Sequence, residues 1–186
     1  MSIRHAILGF LSWMPLTGYD LKKLFAESEV LYWSGNSNQI YKALVDLHNE
    51  NLVTRDVQQQ EDHPARKIYS ITDKGLTELK AWLRSTPELP QLRDPFLTQL
   101  AWADQLSADE LDSVLHGYEE ELALKVLMIR AQKQRHDVSP QRTPREIYLW
   151  DMITENWGSH YEQELAWVRR LRRGLAAMST TEETAL

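Results

Sequence analysis

The chain has 186 residues, which is enough for one domain of typical size or for two small ones. Hydrophobic residues make up 42% of the sequence, cysteine is absent, and no apolar run approaches the length of a membrane span. These features predict a folded protein that has no disulfides, no signal peptide and no transmembrane helix, and they make the cytoplasm its expected location.

The net charge of −6 is divided unevenly along the chain. The first 85 residues contain 10 basic and 10 acidic side chains, whereas residues 86–186 contain 11 basic and 17 acidic ones. Salt screens charges that lie more than about 10 Å apart, so the local field matters more than the total charge. The neutral first half therefore leaves nucleic-acid binding open and predicts an affinity that is modest and sensitive to salt.

Three helices are predicted at the start of the chain. Apolar residues at helical spacing indicate a first helix over residues 2–13, which Pro15 ends. A second helix begins at Thr17-Gly18, with Tyr19 on its apolar side. The third helix runs from Asn36 or Ser37 to Asn49, and its buried face is Ile40, Leu44 and Leu47.

A β-hairpin and a fourth helix are predicted to follow. Residues 52–57 and 66–71 have the composition of strands, and the polar segment between them contains the turn sequence Asp62-His63-Pro64. Thr72-Asp73 then caps a helix that ends near Leu83. Three helices, a hairpin and a closing helix are the order of elements in a winged helix-turn-helix, a fold that binds DNA.

The third helix is the candidate recognition helix, because short polar side chains near its N-terminus suit the edges of bases in the major groove. Basic residues on the hairpin, or wing, would contact the backbone or the minor groove. A solvated polar face and solubilising charges would explain the same residues without DNA. The candidate DNA-contacting residues are Lys22, Asn36, Ser37, Asn38, Gln39, Tyr41, Lys42, His63, Arg66 and Lys67.

The second half is predicted to be a helical dimerisation domain. Pro87, Pro90 and Pro95 mark a linker, and Ser107 with Glu110 forms a capping box that opens a long helix. A last helix is expected over residues 144–178. The expected domains are a winged helix-turn-helix over residues 1–86, a helical domain over 87–178 and a disordered polar tail over 179–186.

The apolar residues of the last helix recur every 3.5 residues on average, which is coiled-coil spacing. The dimerisation candidates on this stripe are Trp150, Ile153, Trp157, Tyr161, Leu165 and Val168. The chain has seven tryptophans, and the alternative to a dimer core is a cavity for a flat apolar effector. The candidate effector-binding residues are Trp33, Trp102, Tyr118, Trp150 and Trp157.

Enzyme motifs are absent from the sequence. There is no Gly-rich phosphate loop, no Gly-x-Ser-x-Gly turn and no His-x-x-x-His pair, so neither a cofactor nor a metal is expected. Two alternatives to DNA binding remain open. One is a winged-helix module that binds another protein, and the other is a small-molecule-binding protein or enzyme built around the tryptophans.

The first half resembles the PadR family of bacterial transcriptional regulators, and the helical second half is similar to that of its phenolic-acid-responsive repressors and virulence-gene activators. The resemblance implies a homodimer that binds a near-palindromic operator, commonly as a repressor with a small-molecule inducer. Departures occur at Lys42, His48 and Asn51, where many relatives have proline, an acidic residue and glycine. The matching segments are Ala6–Leu11, Gly18–Leu21, Tyr32–Ser34, Gln39–Tyr41, Leu44, Leu52–Val53, Arg66–Thr72, Gly75 and Arg93–Phe96.

Overall fold

The structure of the protein is a computed structural model that describes residues 3–27, 37–59, 65–89, 94–135 and 142–184. The chain divides into two compact units, Met1–Glu88 and Leu89–Leu186, two residues beyond the division that the prolines predicted. The predicted site residues Trp33, Asn36 and His63 lie outside the described ranges. Within those ranges no helix is both long and apolar enough to cross a membrane.

The first unit is a winged helix-turn-helix, as predicted. Its sheet has the order β1-β3-β2, and both neighbouring pairs are antiparallel. The two-residue strand β1 was not predicted, because so short a segment carries no alternation of apolar and polar residues. The elements in chain order are α1 (Ile3–Leu11), β1 (Leu16–Thr17), α2 (Gly18–Glu27), α3 (Ser37–Asn49), β2 (Val53–Gln58), β3 (Arg66–Ile71) and α4 (Asp73–Arg84).

The end of α3 is formed by a residue in the left-handed region. Asn51 has a φ of 59°, and the amide of Leu52 donates to the carbonyl of Leu47 at 2.9 Å. Asparagine tolerates this conformation better than other residues with a β-carbon, so it takes the place that glycine has in many relatives. His48 Nδ1 lies 3.2 Å from the carbonyl of Val53, to which it donates, and this contact ties the end of α3 to β2.

The start of α4 is fixed against the end of α3 by Thr72. Its hydroxyl accepts from the amide of Gly75 at 3.0 Å and lies 2.8 Å from the carbonyl of Asn51. Gly75 is buried, and a β-carbon at this position would overlap the backbone carbonyl of Leu52. The glycine is therefore required by close packing, because the carbonyl has no room to move.

The second unit is a helical hairpin preceded by short helical segments. Asp94 caps α5, and Ser107 forms the predicted capping box with Glu110, since the amide of Ser107 donates to the Glu110 carboxylate at 2.8 Å. The last helix continues six residues beyond Met178, because residues 179–184 contain no proline or glycine that would end it. The helices are α5 (Pro95–Leu100), α6 (Ala108–Arg135) and α7 (Pro144–Thr184), with a 3₁₀ turn at Ala103–Gln105.

Helices α6 and α7 pack against each other within one chain. Val168 is fully buried and Leu165 nearly so, in a core that also contains Leu115 and Leu122 of α6. Leu165 and Val168, two of the dimerisation candidates, are therefore buried by α6 of the same chain. The part of the predicted stripe that contains Tyr161, Leu165 and Val168 thus lies in the intramolecular seam, whereas Ile153 on the same stripe is 38% exposed.

Ion pairs reinforce this seam along its length. Arg172 is 2.9 Å from Asp112 and 2.7 Å from Glu119, and Arg169 is 2.8 Å from Glu119. Hydrogen bonds from Arg169 and Arg172 lower the pKa of Glu119 and outweigh the opposing effect of its burial. Because Glu119 accepts from two guanidinium groups, it joins two turns of α7 to one turn of α6.

Candidate nucleic-acid interface

The exposed face of α3 carries the residues predicted to contact DNA. Asn38, Gln39, Tyr41 and Lys42 are exposed, whereas Ile40, Leu44 and Leu47 are buried against the rest of the first unit. The buried residues are spaced by four and three positions, so they share one side of the helix and orient the polar ones outward. The described part of α3 thus presents amides, a phenol and an ammonium group close to its N-terminus.

Tyr41 is positioned by its contact with α2. Its side chain is 47% exposed, and one edge of the ring lies on Gly18, the first residue of α2. A β-carbon at Gly18 would overlap this ring, so glycine allows α2 and α3 to approach at this point. The contact holds the Tyr41 ring while its other edge remains accessible to a partner.

Helix α2 adds a basic and an aromatic side chain to the same unit. Lys22 is exposed, as predicted for a phosphate contact. Tyr19 was expected on the apolar side, but it is 70% exposed. It precedes Asp20 in the first turn of α2, and the buried side of the helix is formed by Leu21 and Phe25 instead. Sequence analysis missed Tyr19 as a surface residue because aromatic side chains are usually counted as core.

The two basic residues of the wing are not equivalent. Arg66 and Lys67 are both exposed at the start of β3, and consecutive strand residues point to opposite faces of a sheet. Lys67 pairs in register with Val57, and Arg66 pairs with Gln58. Arg66 Nη2 also lies 3.5 Å from Asp20 Oδ2 at the start of α2. Arg66 thus contacts the helix-turn-helix, and Lys67 does not share its face.

Arg55 is a further basic residue that sequence analysis did not select. It is exposed on β2, the outer strand, and pairs in register with Tyr69 of β3. Residues 55, 57, 67 and 69 share one face of the hairpin because register partners face the same way. Arg55 and Lys67 therefore lie on the hairpin face whose Tyr69 is buried in the core, and they are the exposed basic residues at the outer end of that face.

The candidate effector residues are not gathered into one cluster in the described ranges. Tyr118 stacks on Phe96 at 3.7 Å between ring centroids, and burial raises its pKa to about 12. Trp157 stacks instead on Tyr161 at 5.8 Å, and Trp102 is 74% exposed. Trp150 is half-buried on α7. Within the described part of the chain, Trp102, Tyr118, Trp150 and Trp157 therefore do not line one shared aromatic cavity.

Helices α6 and α7 each carry a second apolar face, opposite the seam between them. The outer face of α6 consists of Leu124, Leu127 and Met128, and that of α7 consists of Tyr148, Leu149 and Met152. All six side chains are exposed, and Leu127 and Tyr148 are more than 60% exposed. Helices that are apolar on opposite sides are normally covered on both. These residues, which lie off the predicted stripe, are better candidates for a dimer interface than Leu165 or Val168.

Comparison with known protein families agrees with the fold of the first unit. A sequence model of the transcriptional regulator PadR-like family matches residues 7–81. These residues include α2, α3 and the hairpin. They therefore include every described side chain that is assigned above to the candidate interface. Residues 7–81 are therefore similar in sequence to the PadR-like family.

Individual relatives extend this similarity. The negative transcriptional regulator PadR of Bacillus subtilis (strain 168) is 33% identical over 109 residues, which are 58% of this chain and 60% of that protein. The crystal structure of Bacillus subtilis PadR in complex with operator DNA has a TM-score of 0.81 at 22% identity and covers 93% of this chain and 98% of the other. The structure of that PadR with p-coumaric acid has a TM-score of 0.74 at 22% identity and covers 94% of this chain and 95% of the other. The PadR fold therefore extends over both units.

Proposed function

We propose that this protein is a DNA-binding transcriptional regulator of the PadR type, which acts as a homodimeric repressor and responds to a small aromatic effector. It binds its operator in the cytoplasm and acts by binding, without catalysis. Each subunit inserts α3 into a major groove, and the two recognition helices lie roughly one turn of DNA apart, about 34 Å. Lys42, Arg66 and Lys67 contact the phosphate backbone, which gives about six contacts in the dimer, and Lys22 is a further DNA-binding residue.

The observation that carries this proposal is the outward face of α3. Asn38, Gln39 and Tyr41 lie on the exposed side of a helix whose opposite side is buried. Amide side chains form paired hydrogen bonds with adenine, and a phenol donates to phosphate. Most of the excess acidic residues belong to the second unit, so their charges lie outside the unit that carries the proposed phosphate contacts.

Dimerisation follows from the outer faces of α6 and α7. A second copy that covers Leu124, Leu127 and Met128 would remove three large apolar side chains from water in each subunit. A homodimer also explains how a unit with few cations binds DNA well, because two units double the number of phosphate contacts. The negative transcriptional regulator PadR, with which this chain shares its fold, supports repression as the mode of action.

A titration with DNA tests the proposal. We expect the protein to enrich a duplex from a randomised library and to bind it with strong salt dependence. If a dimer neutralises about six phosphates, the slope of log affinity against log salt concentration is near −5. The measurement is fluorescence anisotropy of the labelled duplex over a range of salt. Failure to enrich any duplex, or a slope near zero, would contradict the proposal.

The effector is tested by release of this duplex. The solved complex of Bacillus subtilis PadR with p-coumaric acid supports an aromatic acid as the effector class. We expect an aromatic acid such as p-coumaric acid to quench tryptophan fluorescence and to weaken operator binding over the same concentration range, because a ligand that prefers one state of the dimer shifts its population. Quenching without any change in DNA binding would show a ligand that is not an effector.

A further inference from the structure

One oxygen atom connects the helix-turn-helix to the wing. Oδ2 of Asp20 accepts from the amide of Thr17 at 2.9 Å and from the hydroxyl of Thr17 at 2.7 Å. The same oxygen lies 3.5 Å from Nη2 of Arg66. Asp20 therefore completes the capping box that Thr17 begins on α2, and it contacts the first residue of β3 at the same time.

The chain topology explains why these groups meet. Thr17 is the last residue of β1 and the capping residue of α2, and it pairs in register with Ile68 of β3. Since the strands are antiparallel, the residues before Ile68 continue alongside the first turn of α2. Arg66 therefore lies over this turn, where Asp20 is the acidic residue. Gly18, in the same turn, is the residue on which the Tyr41 ring of α3 rests.

The charges of the pair remain available to a partner. The side chain of Arg66 is 50% exposed and that of Asp20 is 34% exposed, so the guanidinium has donors directed to solvent beside the carboxylate. Burial of Asp20 favours its neutral form, but hydrogen bonds from Thr17 and the proximity of Arg66 outweigh this effect and lower its pKa. The carboxylate is consequently ionised at neutral pH.

We propose that Asp20 is a positioning residue for DNA binding, which aligns the Arg66 guanidinium with the exposed face of α3 so that both contact one duplex. This inference rests on the proposed function, and it concerns a residue whose own charge repels phosphate. An acidic residue that only capped α2 would weaken binding through its charge. An acidic residue that holds Arg66 in place strengthens binding, because the conformational entropy of this long side chain is already lost before DNA binds.

The opposite signs of these two effects make Asp20→Asn a decisive variant. The substitution removes a negative charge and keeps an oxygen that accepts from Thr17. We expect D20N to weaken binding of the enriched duplex by about threefold to fivefold, the size of one partly exposed charge-assisted contact. The salt slope of the dimer becomes less steep, since Arg66 no longer contacts phosphate in a fixed position. Tighter or unchanged binding by D20N would overturn the inference.

Matched variants separate positioning from capping and from net charge. Glu27→Gln removes a carboxylate from the other end of α2, where Glu27 pairs with Lys23 at 3.7 Å, and is expected to leave affinity unchanged or slightly higher. Thr17→Val removes the capping hydroxyl and keeps both charges, and we expect it to weaken binding less than D20N does. An equal loss in T17V would assign the effect to the helix cap. Asp20→Glu, which retains the charge, is expected to recover most of the affinity.

A double-mutant cycle with Arg66→Met completes the test. In the R66M background the D20N substitution is expected to cause no further loss, because the contact that Asp20 positions is already gone. Independent losses would show that Asp20 acts through another group.

If D20N does not fold, as judged by circular dichroism, Arg66→Lys takes its place. We expect R66K to weaken binding, because lysine lacks the planar guanidinium group that contacts carboxylate and phosphate together. Full affinity in R66K would overturn the inference, whereas a chain that enriches no duplex would refute the proposed function itself.

Discussion

Replacement of Lys42 by glutamate is expected to reduce operator affinity on the order of a hundredfold, since each subunit loses one phosphate contact and gains one repulsive charge. Lys42 is exposed on the face of α3 that also carries Asn38 and Gln39, and it follows Tyr41, whose ring rests on α2. Its ammonium group therefore lies beside the groups proposed to contact bases. Fluorescence anisotropy of the labelled duplex measures the loss.

The control for Lys42→Glu is Lys80→Glu. Lys80 is exposed on α4 of the same unit, and its substitution changes the net charge by the same amount. We expect K80E to reduce affinity only through the general field, by less than about threefold at physiological salt. Equal losses for K42E and K80E would indicate that the protein senses DNA through net charge and would remove α3 as the recognition element. Retained binding to DNA in K42E would favour the alternative of a protein-interaction module.

Lys42 also shows why the DNA-binding unit was predictable from sequence. The spacing of Ile40, Leu44 and Leu47 determines which side of α3 is buried. The polar residues between them must therefore face solvent. Helical periodicity also correctly indicated α1, whereas residue composition indicated the two wing strands. Local turn chemistry added the caps at Thr72 and Ser107, both of which the structure contains.

The periodicity of apolar residues could not show which segment covers each apolar face. The stripe of α7 was correctly recognised as apolar, but its spacing is the same whether the covering helix belongs to the same chain or to another one. Leu165 and Val168 are covered by α6 of the same chain. Ile153 on the predicted stripe is exposed, and further exposed apolar residues, such as Met152 on α7, lie on the side of the helix opposite the seam.

Contacts between distant segments were also beyond sequence analysis. The Asp20–Arg66 pair joins residues 46 positions apart, and the Tyr41–Gly18 contact joins α3 to α2. In both pairs, the identity of one residue does not predict which residue it contacts. The glycine in particular indicates only that some group approaches closely, and the structure shows that this group is an aromatic ring of the recognition helix.

Combined replacement of Leu124 and Met128 by glutamate is expected to convert the dimer into a monomer. These residues lie four positions apart on the outer face of α6, and both are more than half exposed in the single chain. Neither belongs to the core between α6 and α7, so the fold of the second unit is expected to survive the substitution. Covering four glutamates in a dimer would remove charges from water without partners, which costs several kcal/mol and exceeds the gain from apolar burial.

Sedimentation equilibrium measures whether the variant is still a dimer, and DNA titration measures the change in its operator affinity. A monomer carries one recognition helix, so L124E/M128E is expected to lose at least about a hundredfold in operator affinity, as the second contact is no longer intramolecular. Ser113→Glu is the control, because Ser113 is exposed on α6 several turns before Leu124, next to acidic residues. A variant that remains dimeric would assign the interface to another surface. A monomer that still binds the operator tightly would show that one subunit is sufficient for recognition, and the fixed separation of two recognition helices would then have no role in specificity.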